Sequence, residues 1–449
     1  MGKHVVIQFP GLGGYVPGVL ADLVAHNSQA GAVLAEIDQV AAEYNLGPVS
    51  GPLSDPAGPA IEELAQTPTL LHLASFASGY LLYQALREKR IAGDVLLGQS
   101  TGEITALAAA GSLTVSDAAR VLCEREVALD GVRILGGLVA VRAGAARARR
   151  LCGAAGGWSL TVSLSNSPEQ SVISGIEQDL PRLEAVARAA GVHATRLLVR
   201  YPHHNPALRP AARRVAAATA AFSIVDPVER VYSPILGRFV VAACDARRIV
   251  DRHLTDPVDY LGAIRVLYDE FGVREFLEVG ARSVLTESAR ESLPATVELR
   301  GAPPNALAAE QILDALAGQQ VPQAPVRATS PINGSAEQTP EPSSHLVPPA
   351  PRNTAAAGAV GLPERSELLA RLRVTFAAAL GYPEDVFTDE AHLEADLGIA
   401  SVKKTELLVR LLDEYRLPTP PAQLRMRDYT TLPKLAGLME QLAAEQVSA

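Results

Sequence analysis

The stretch Asp94-Val95-Leu96-Leu97-Gly98-Gln99-Ser100-Thr101-Gly102-Glu103 constrains the fold of this chain more than any other. A short apolar run that reads as a buried strand passes into Gly-x-Ser-x-Gly, and the alanine-rich run 104–110 behind it is a strong helix former. When a strand turns directly into the helix that packs on it, side chains on either side of the apex would collide with neighbouring backbone, and glycine relieves the collision. The pattern predicts a nucleophile elbow. Ser100 would stand at the N-terminus of a helix, where free backbone N–H groups favour developing negative charge.

Around this elbow the sequence predicts an α/β fold. Short apolar strands alternate with helical patterns from residue 1 to about 294, the signature of a mostly parallel, hydrolase-like sheet covered on both faces. An inserted subdomain is expected over about 136–200. Its strands read as 138–141, 160–164, 172–175 and 195–199, with one Ala- and Arg-rich helix between the first two and another over 180–190. Strand-helix-strand-strand-helix-strand is the order of a ferredoxin-like unit. The first domain is therefore placed at 1–316. Residues 317–362 are rich in Pro, Ala, Ser, Gln and Gly without apolar period, a composition that cannot bury enough surface to offset ordering entropy, and they read as a disordered linker. Residues 363–449 read as a small helical bundle with helices over 364–380, 401–415 and 432–444.

Composition narrows the functional classes. A chain of 449 residues is long enough for two or three cores, and its net charge of −9 argues against a nucleic-acid partner. No apolar run approaches the length of a membrane span, and the opening Met1-Gly2-Lys3-His4-Val5-Val6 enters a strand pattern without a signal-peptide core, so a cytoplasmic location is expected. The three cysteines, Cys123, Cys152 and Cys244, are odd in number and lack metal-ligand spacing; they read as reduced and structural, and no metal site is expected.

Five separated motifs carry a family resemblance: Phe9-Pro10-Gly11-Leu12-Gly13, the serine elbow 98–103, Asn166-Ser167-Pro168 with Val172-Ile173-Ser174-Gly175, His204-Asn205-Pro206, and Glu278-Val279-Gly280. In order and spacing, residues 4–294 resemble the malonyl-CoA:acyl-carrier-protein transacylase family, which includes the acyltransferase domains of polyketide synthases. The C-terminal bundle resembles an acyl carrier protein through Asp396-Leu397-Gly398-Ile399-Ala400-Ser401-Val402.

A serine hydroxyl needs a base within hydrogen-bond reach, and histidine has the suitable pKa. His204, in Tyr201-Pro202-His203-His204-Asn205-Pro206, is the expected base, with His203 as competitor. The resemblance implies that main-chain carbonyls orient the base, one of them at His253. The backbone N–H of Thr101 is the expected first oxyanion donor and that of Leu12 the second. Leu12 stands where the family usually has glutamine. At Arg125 the family places an arginine that pairs bidentately with the free carboxylate of malonyl-type groups, a role suited to a planar fork. The alternative reading is a solvated arginine paired with an acid such as Asp130.

Two departures leave acyl selectivity open: Gln99 replaces the common histidine before the serine, and Tyr201-Pro202-His203-His204 matches neither common selectivity pattern in full. A polar His203 could hydrogen-bond a substituted acyl group, or be neutral drift. In the carrier domain, Ser401 is the implied attachment site of 4'-phosphopantetheine, although a serine there is otherwise a plain helix N-cap. Ala400 replaces the usual aspartate, and Lys403-Lys404 adds positive charge.

The expected activity is transfer of a malonyl-type acyl group from acyl-CoA, through Ser100, to the chain's own or a separate acyl carrier domain, in polyketide-type biosynthesis. Expected partners are a phosphopantetheinyl transferase and a downstream synthase. An acyl-thioester hydrolase that clears misloaded carriers, or a non-catalytic scaffold presenting its carrier domain, are the competing readings.

Overall fold

The computed structural model describes residues 4–318, 362–380, 384, 387–389, 391–393, 404, 407–408, 411–412, 415, 417–418 and 429–448. The chain divides into two compact units, Met1–Val321 and Pro322–Ala449.

Two sheets build the first unit. Their strands, in chain order, are β1 (His4–Phe9), β2 (Val95–Gly98), β3 (Gly136–Val141), β4 (Thr161–Ser167), β5 (Gln170–Ile176), β6 (Ala194–Arg196), β7 (Val231–Ser233), β8 (Arg238–Val240), β9 (Val258–Asp259), β10 (Val273–Glu278) and β11 (Glu298–Arg300). The larger sheet runs β11-β10-β1-β2-β7-β8 and is parallel except where β8 pairs with β7. Its central strands are apolar on both sides because both faces are covered. Ile7, Phe9 and Leu96 enter the core that includes the helix Pro68–Glu88, while Val6, Val95 and Leu97 face Tyr260, Ile264 and Leu267.

The register pairs Phe9 with Gly98, so β1 and β2 end side by side. The Gly11 loop and the serine turn consequently emerge next to each other. The Gln99 N–H donates to Phe9 O at 3.0 Å, and a Cβ on Gly11 would lie 3.3 Å from Gln99 O. The carboxyl ends of neighbouring parallel strands thus form the platform of the site.

The smaller sheet contains the insert in the order β6-β3-β5-β4, packed on the helices Ala145–Ala155 and Leu180–Ala189. Two features differ from the sequence expectation. Strand β6 covers three residues rather than 195–199, because Val199 N–H turns back to Leu197 O and breaks the ladder. A fifth strand, β9, pairs parallel with β4 and ties the insert to the chain that follows it; two residues are too short to leave a pattern.

The cysteines are unpaired, but Cys244 is exposed, which removes it from the structural role expected of all three. Among the described residues, no helix is long and apolar enough to cross a membrane.

In the second unit, the helices Arg365–Leu380 and Leu432–Ser448 share a core through Leu368, Leu372, Phe376, Leu435, Met439 and Leu442. Leu407, Leu408, Leu411 and Leu412 join that core at helical spacing. Ser401 and residues 319–361 of the expected linker lie outside the described residues.

Candidate active site

The turn after β2 is built for close approach. A Cβ on Gly102 would lie 2.0 Å from Phe9 O, so no larger residue fits. Ser100 itself sits at φ 54°, ψ −121°, a strained conformation for a residue with a side chain and one that costs on the order of 1–3 kcal/mol. The helix Thr101–Ala109 follows at once and is buried throughout. Thr101, as its first residue, has an N–H without an intrahelical acceptor.

The loop after the insert brings His204 to this turn. Its Nε2 is 2.8 Å from Ser100 Oγ, and its Nδ1 is 3.0 Å from Asp256 O. A carbonyl can only accept, so Nδ1 carries the ring proton and donates it, leaving Nε2 free to accept from the serine hydroxyl. His204 is buried and also has a positive φ, 56°. Asn205 fixes the loop: its N–H donates to Leu254 O, its side-chain amide to Ser159 O and Ser174 Oγ, and its Oδ1 accepts from Ala207 N–H.

The carbonyl that meets the base is that of Asp256, not of His253 as expected. His253 continues the helical backbone of Ala243–Arg252 (φ −55°, ψ −31°), so its carbonyl follows the helix direction and the chain reaches His204 only three residues later. The His253 ring turns to the elbow instead, with Nε2 2.8 Å from Ser100 O. It therefore contacts the nucleophile's main chain rather than the base's ring nitrogen.

Arg125, on the helix Val115–Val132, is 1% exposed, and its Nε and Nη1 have no hydrogen-bond partner. The solvated pair with Asp130 is not formed; Asp130 accepts from the Tyr201 hydroxyl. Burial lowers the Arg125 pKa to about 10, with Glu126 opposing. The guanidinium charge reaches four rings: with burial as the larger cause, it holds His72, His203, His204 and His253 below the ordinary histidine value. His204 falls to about 3, against the pull of the Asp256 carbonyl.

Two contributors, His72 and Glu126, carry no sequence signal. His72 lies in the apolar helix Pro68–Glu88, with Nδ1 2.8 Å from Thr101 Oγ1. Its Nε2 is 3.4 Å from Glu126 Oε1, without hydrogen-bond geometry, and burial with the Arg125 charge keeps the ring from protonating to form an ion pair. Burial raises the Glu126 carboxyl to about 7. His72, Glu126 and His203 converge with ligand atoms within 4.8 Å of one another, the one such group of possible metal ligands among the described residues. Gln99 donates to Asn166 Oδ1 at 2.8 Å, linking the elbow to the insert. Glu278 accepts the N–H groups of Leu285 and Thr286 at 3.1 and 2.7 Å, capping the helix Val284–Arg290 and giving the Glu278-Val279-Gly280 motif a structural role.

A serine elbow on a parallel sheet, a histidine returning from a ferredoxin-like insert and a buried arginine whose charge reaches that histidine are the features of one class. The chain belongs to the acyl transferase domain family, which matches residues 9–316, and a phosphopantetheine attachment site domain follows at 370–439. It thus joins an acyltransferase to a carrier domain of the kind that holds 4'-phosphopantetheine. Among solved structures it is similar to a malonyl-CoA:acyl carrier protein transacylase from Xanthomonas oryzae pv. oryzae, at 27% identity and TM-score 0.60 over 67% of this chain and 94% of that one. The acyltransferase domain from the second module of the salinomycin polyketide synthase is similar at 26% identity and TM-score 0.59, over 70% of this chain and 72% of that one. The spectinabilin polyketide synthase system protein of Streptomyces orinoci is 29% identical over 300 residues, covering 65% of this chain and only 8% of that relative's length.

Proposed function

We propose that this protein moves a malonyl-type acyl group from CoA to a carrier thiol through an acyl-serine at Ser100. Ser100 Oγ attacks the thioester carbonyl while His204 Nε2 takes its proton; the carbon–sulfur bond breaks, and His204 returns that proton to the departing CoA sulfur. The N–H groups of Thr101 and Leu12 hold the oxyanion, a reading supported by the adjacent ends of β1 and β2. In the proposed assignment, 4'-phosphopantetheine on Ser401 supplies the accepting thiol. His204 then takes the proton of the incoming thiol, and Ser100 leaves the acyl carbon and recovers the proton. Two half-reactions on one serine give ping-pong kinetics.

The single observation that carries the substrate class is the buried fork of Arg125, without a partner at Nε and Nη1, whose charge reaches the His204 ring that contacts Ser100 at 2.8 Å. A buried guanidinium without partners is costly, and an incoming carboxylate offsets that cost with a bidentate pair. The same pairing offsets the cation that depresses His204, so binding the correct acyl group raises the basicity of the residue that must act next.

We assign the acyltransferase to residues 1–316, a linker to 317–362 and the carrier to 363–449. Joining the acyltransferase and the carrier in one chain favours self-loading, because a tethered acceptor competes intramolecularly with free ones. The setting is cytoplasmic polyketide-type biosynthesis, with a phosphopantetheinyl transferase upstream and a synthase downstream. The test is intact mass of the phosphopantetheinylated protein after exposure to an acyl-CoA panel, with Ser100→Ala and Ser401→Ala alongside. Acyl mass on the carrier that disappears in both variants is expected. Release of free acid without carrier acylation would point to a hydrolase, and carrier function undisturbed by Ser100→Ala to a scaffold.

A further inference from the structure

Near Arg125 lie buried polar groups that the proposed transfer does not use. Glu126 Oε1 and His203 Nδ1 are buried without hydrogen-bond partners. His72 stands between them and the elbow, with its Nδ1 on Thr101 Oγ1 and its ring 6.0 Å, edge-on, from that of His203. Each member is one step from the machinery: Glu126 follows Arg125, His203 precedes His204, and His72 is bonded to the residue after Ser100. A buried polar atom without a partner costs about 1–3 kcal/mol, and since the protein supplies none to these atoms, a polar group of the acyl substrate is the partner that suits them.

We propose that Glu126 and His203 recognise a hydroxyl on the α-carbon of the malonyl-type group. The inference rests on the acyl transfer proposed above. Arg125 takes the free carboxylate and Ser100 the thioester carbonyl, which leaves the α-carbon between them as the position where substrates of this class differ. A hydroxyl satisfies both open atoms at once, donating to Glu126 Oε1 and accepting from His203 Nδ1–H. Neutral His203 has one ring proton to give, and burial together with Arg125 keeps it neutral. A metal cation or an ammonium substituent would face the Arg125 charge that already disfavours protonation of His72 and His203. A methyl group would leave both atoms unpaired, and a site of this kind rejects an analogue lacking the hydroxyl far more strongly than an apolar pocket separates substrates that differ by one methyl.

Methyl and hydroxyl are nearly equal in size, so the decisive pair is the pantetheine thioester of hydroxymalonate against that of methylmalonate. Acyl mass on Ser100 of the full-length protein is followed at early times, with malonyl-CoA as a further donor. The wild type is expected to take hydroxymalonyl at least about 100-fold faster than methylmalonyl. In His203→Phe and in Glu126→Leu that ratio should fall below about tenfold. Because the ratio is read within one sample, a partly unfolded variant still reports it. A wild-type ratio near one, or reversed, overturns the proposal while leaving acyl transfer intact. Acyl mass from none of the donors overturns the transfer reading itself. A stoichiometric Zn2+ site found by calorimetric titration with zinc chloride, and lost in His203→Phe, would reassign the three residues to a cation.

Discussion

The two walls of the pocket are built on opposite terms. On the catalytic wall, around the serine, His204 is bonded at both ring nitrogens, to Ser100 Oγ and Asp256 O, while His253 reaches Ser100 O through Nε2 and leaves its Nδ1 open. On the acyl wall, Arg125 Nε and Nη1, Glu126 Oε1 and His203 Nδ1 have no partner, although they are as deeply buried. Groups that move protons benefit from geometry fixed in advance, since reorganisation during reaction is then small. Groups that choose the substrate can hold open valences that the correct acyl group closes and a wrong one leaves open. On the proposed function, the difference separates the residues assigned to proton transfer from those assigned to choosing the acyl group.

Substitutions on the two walls should therefore fail differently. His204→Ala removes the base and should slow acylation of Ser100 by about 10³-fold with every donor, whatever its acyl group, as read by rapid-quench intact mass. A loss confined to malonyl donors would place His204 on the acyl wall instead. Arg125→Ala should act on dicarboxylic donors and also change the pH profile. The proposed transfer needs neutral His204, and with its pKa lowered to about 3 by burial and Arg125 the ring stays neutral down to strongly acidic pH. Removing the guanidinium removes a cause of that depression, so the acid limb of the initial-rate profile should move to higher pH in the variant, measured over the range where circular dichroism shows both proteins folded. An acid limb that stays in place would mean that the two walls are not electrically coupled.

These contrasts also mark what the sequence could and could not reveal. The elbow was legible because its demands are local: two glycines, an apolar strand before and a helix former behind. The insert was legible because its strand and helix periods alternate cleanly. His204 emerged from its place after the insert and from the family motif. The carbonyl that holds it did not, because where a main-chain oxygen points depends on where the helix Ala243–Arg252 ends, and His253 prolongs that helix. His72 and Glu126 were invisible for another reason. Each sits in a helix whose neighbours explain it blandly, and only the packing of the helices Pro68–Glu88 and Val115–Val132 brings them together. The same packing buries Arg125, whose sequence context was equally compatible with a surface ion pair. Selectivity is thus the least legible layer, being distributed over elements far apart in the chain.

The most direct test of the account is the early rate of acyl-Ser100 formation from malonyl-CoA against acetyl-CoA in the wild-type protein, read by peptide mass mapping. Both donors present the same thioester to the catalytic wall, and only malonyl brings a carboxylate to Arg125. A preference for malonyl of about 100-fold or more is predicted, on the scale of losing a charge-assisted bidentate pair and leaving a buried guanidinium unpaired. Equal rates, or acylation at a residue other than Ser100, would contradict it.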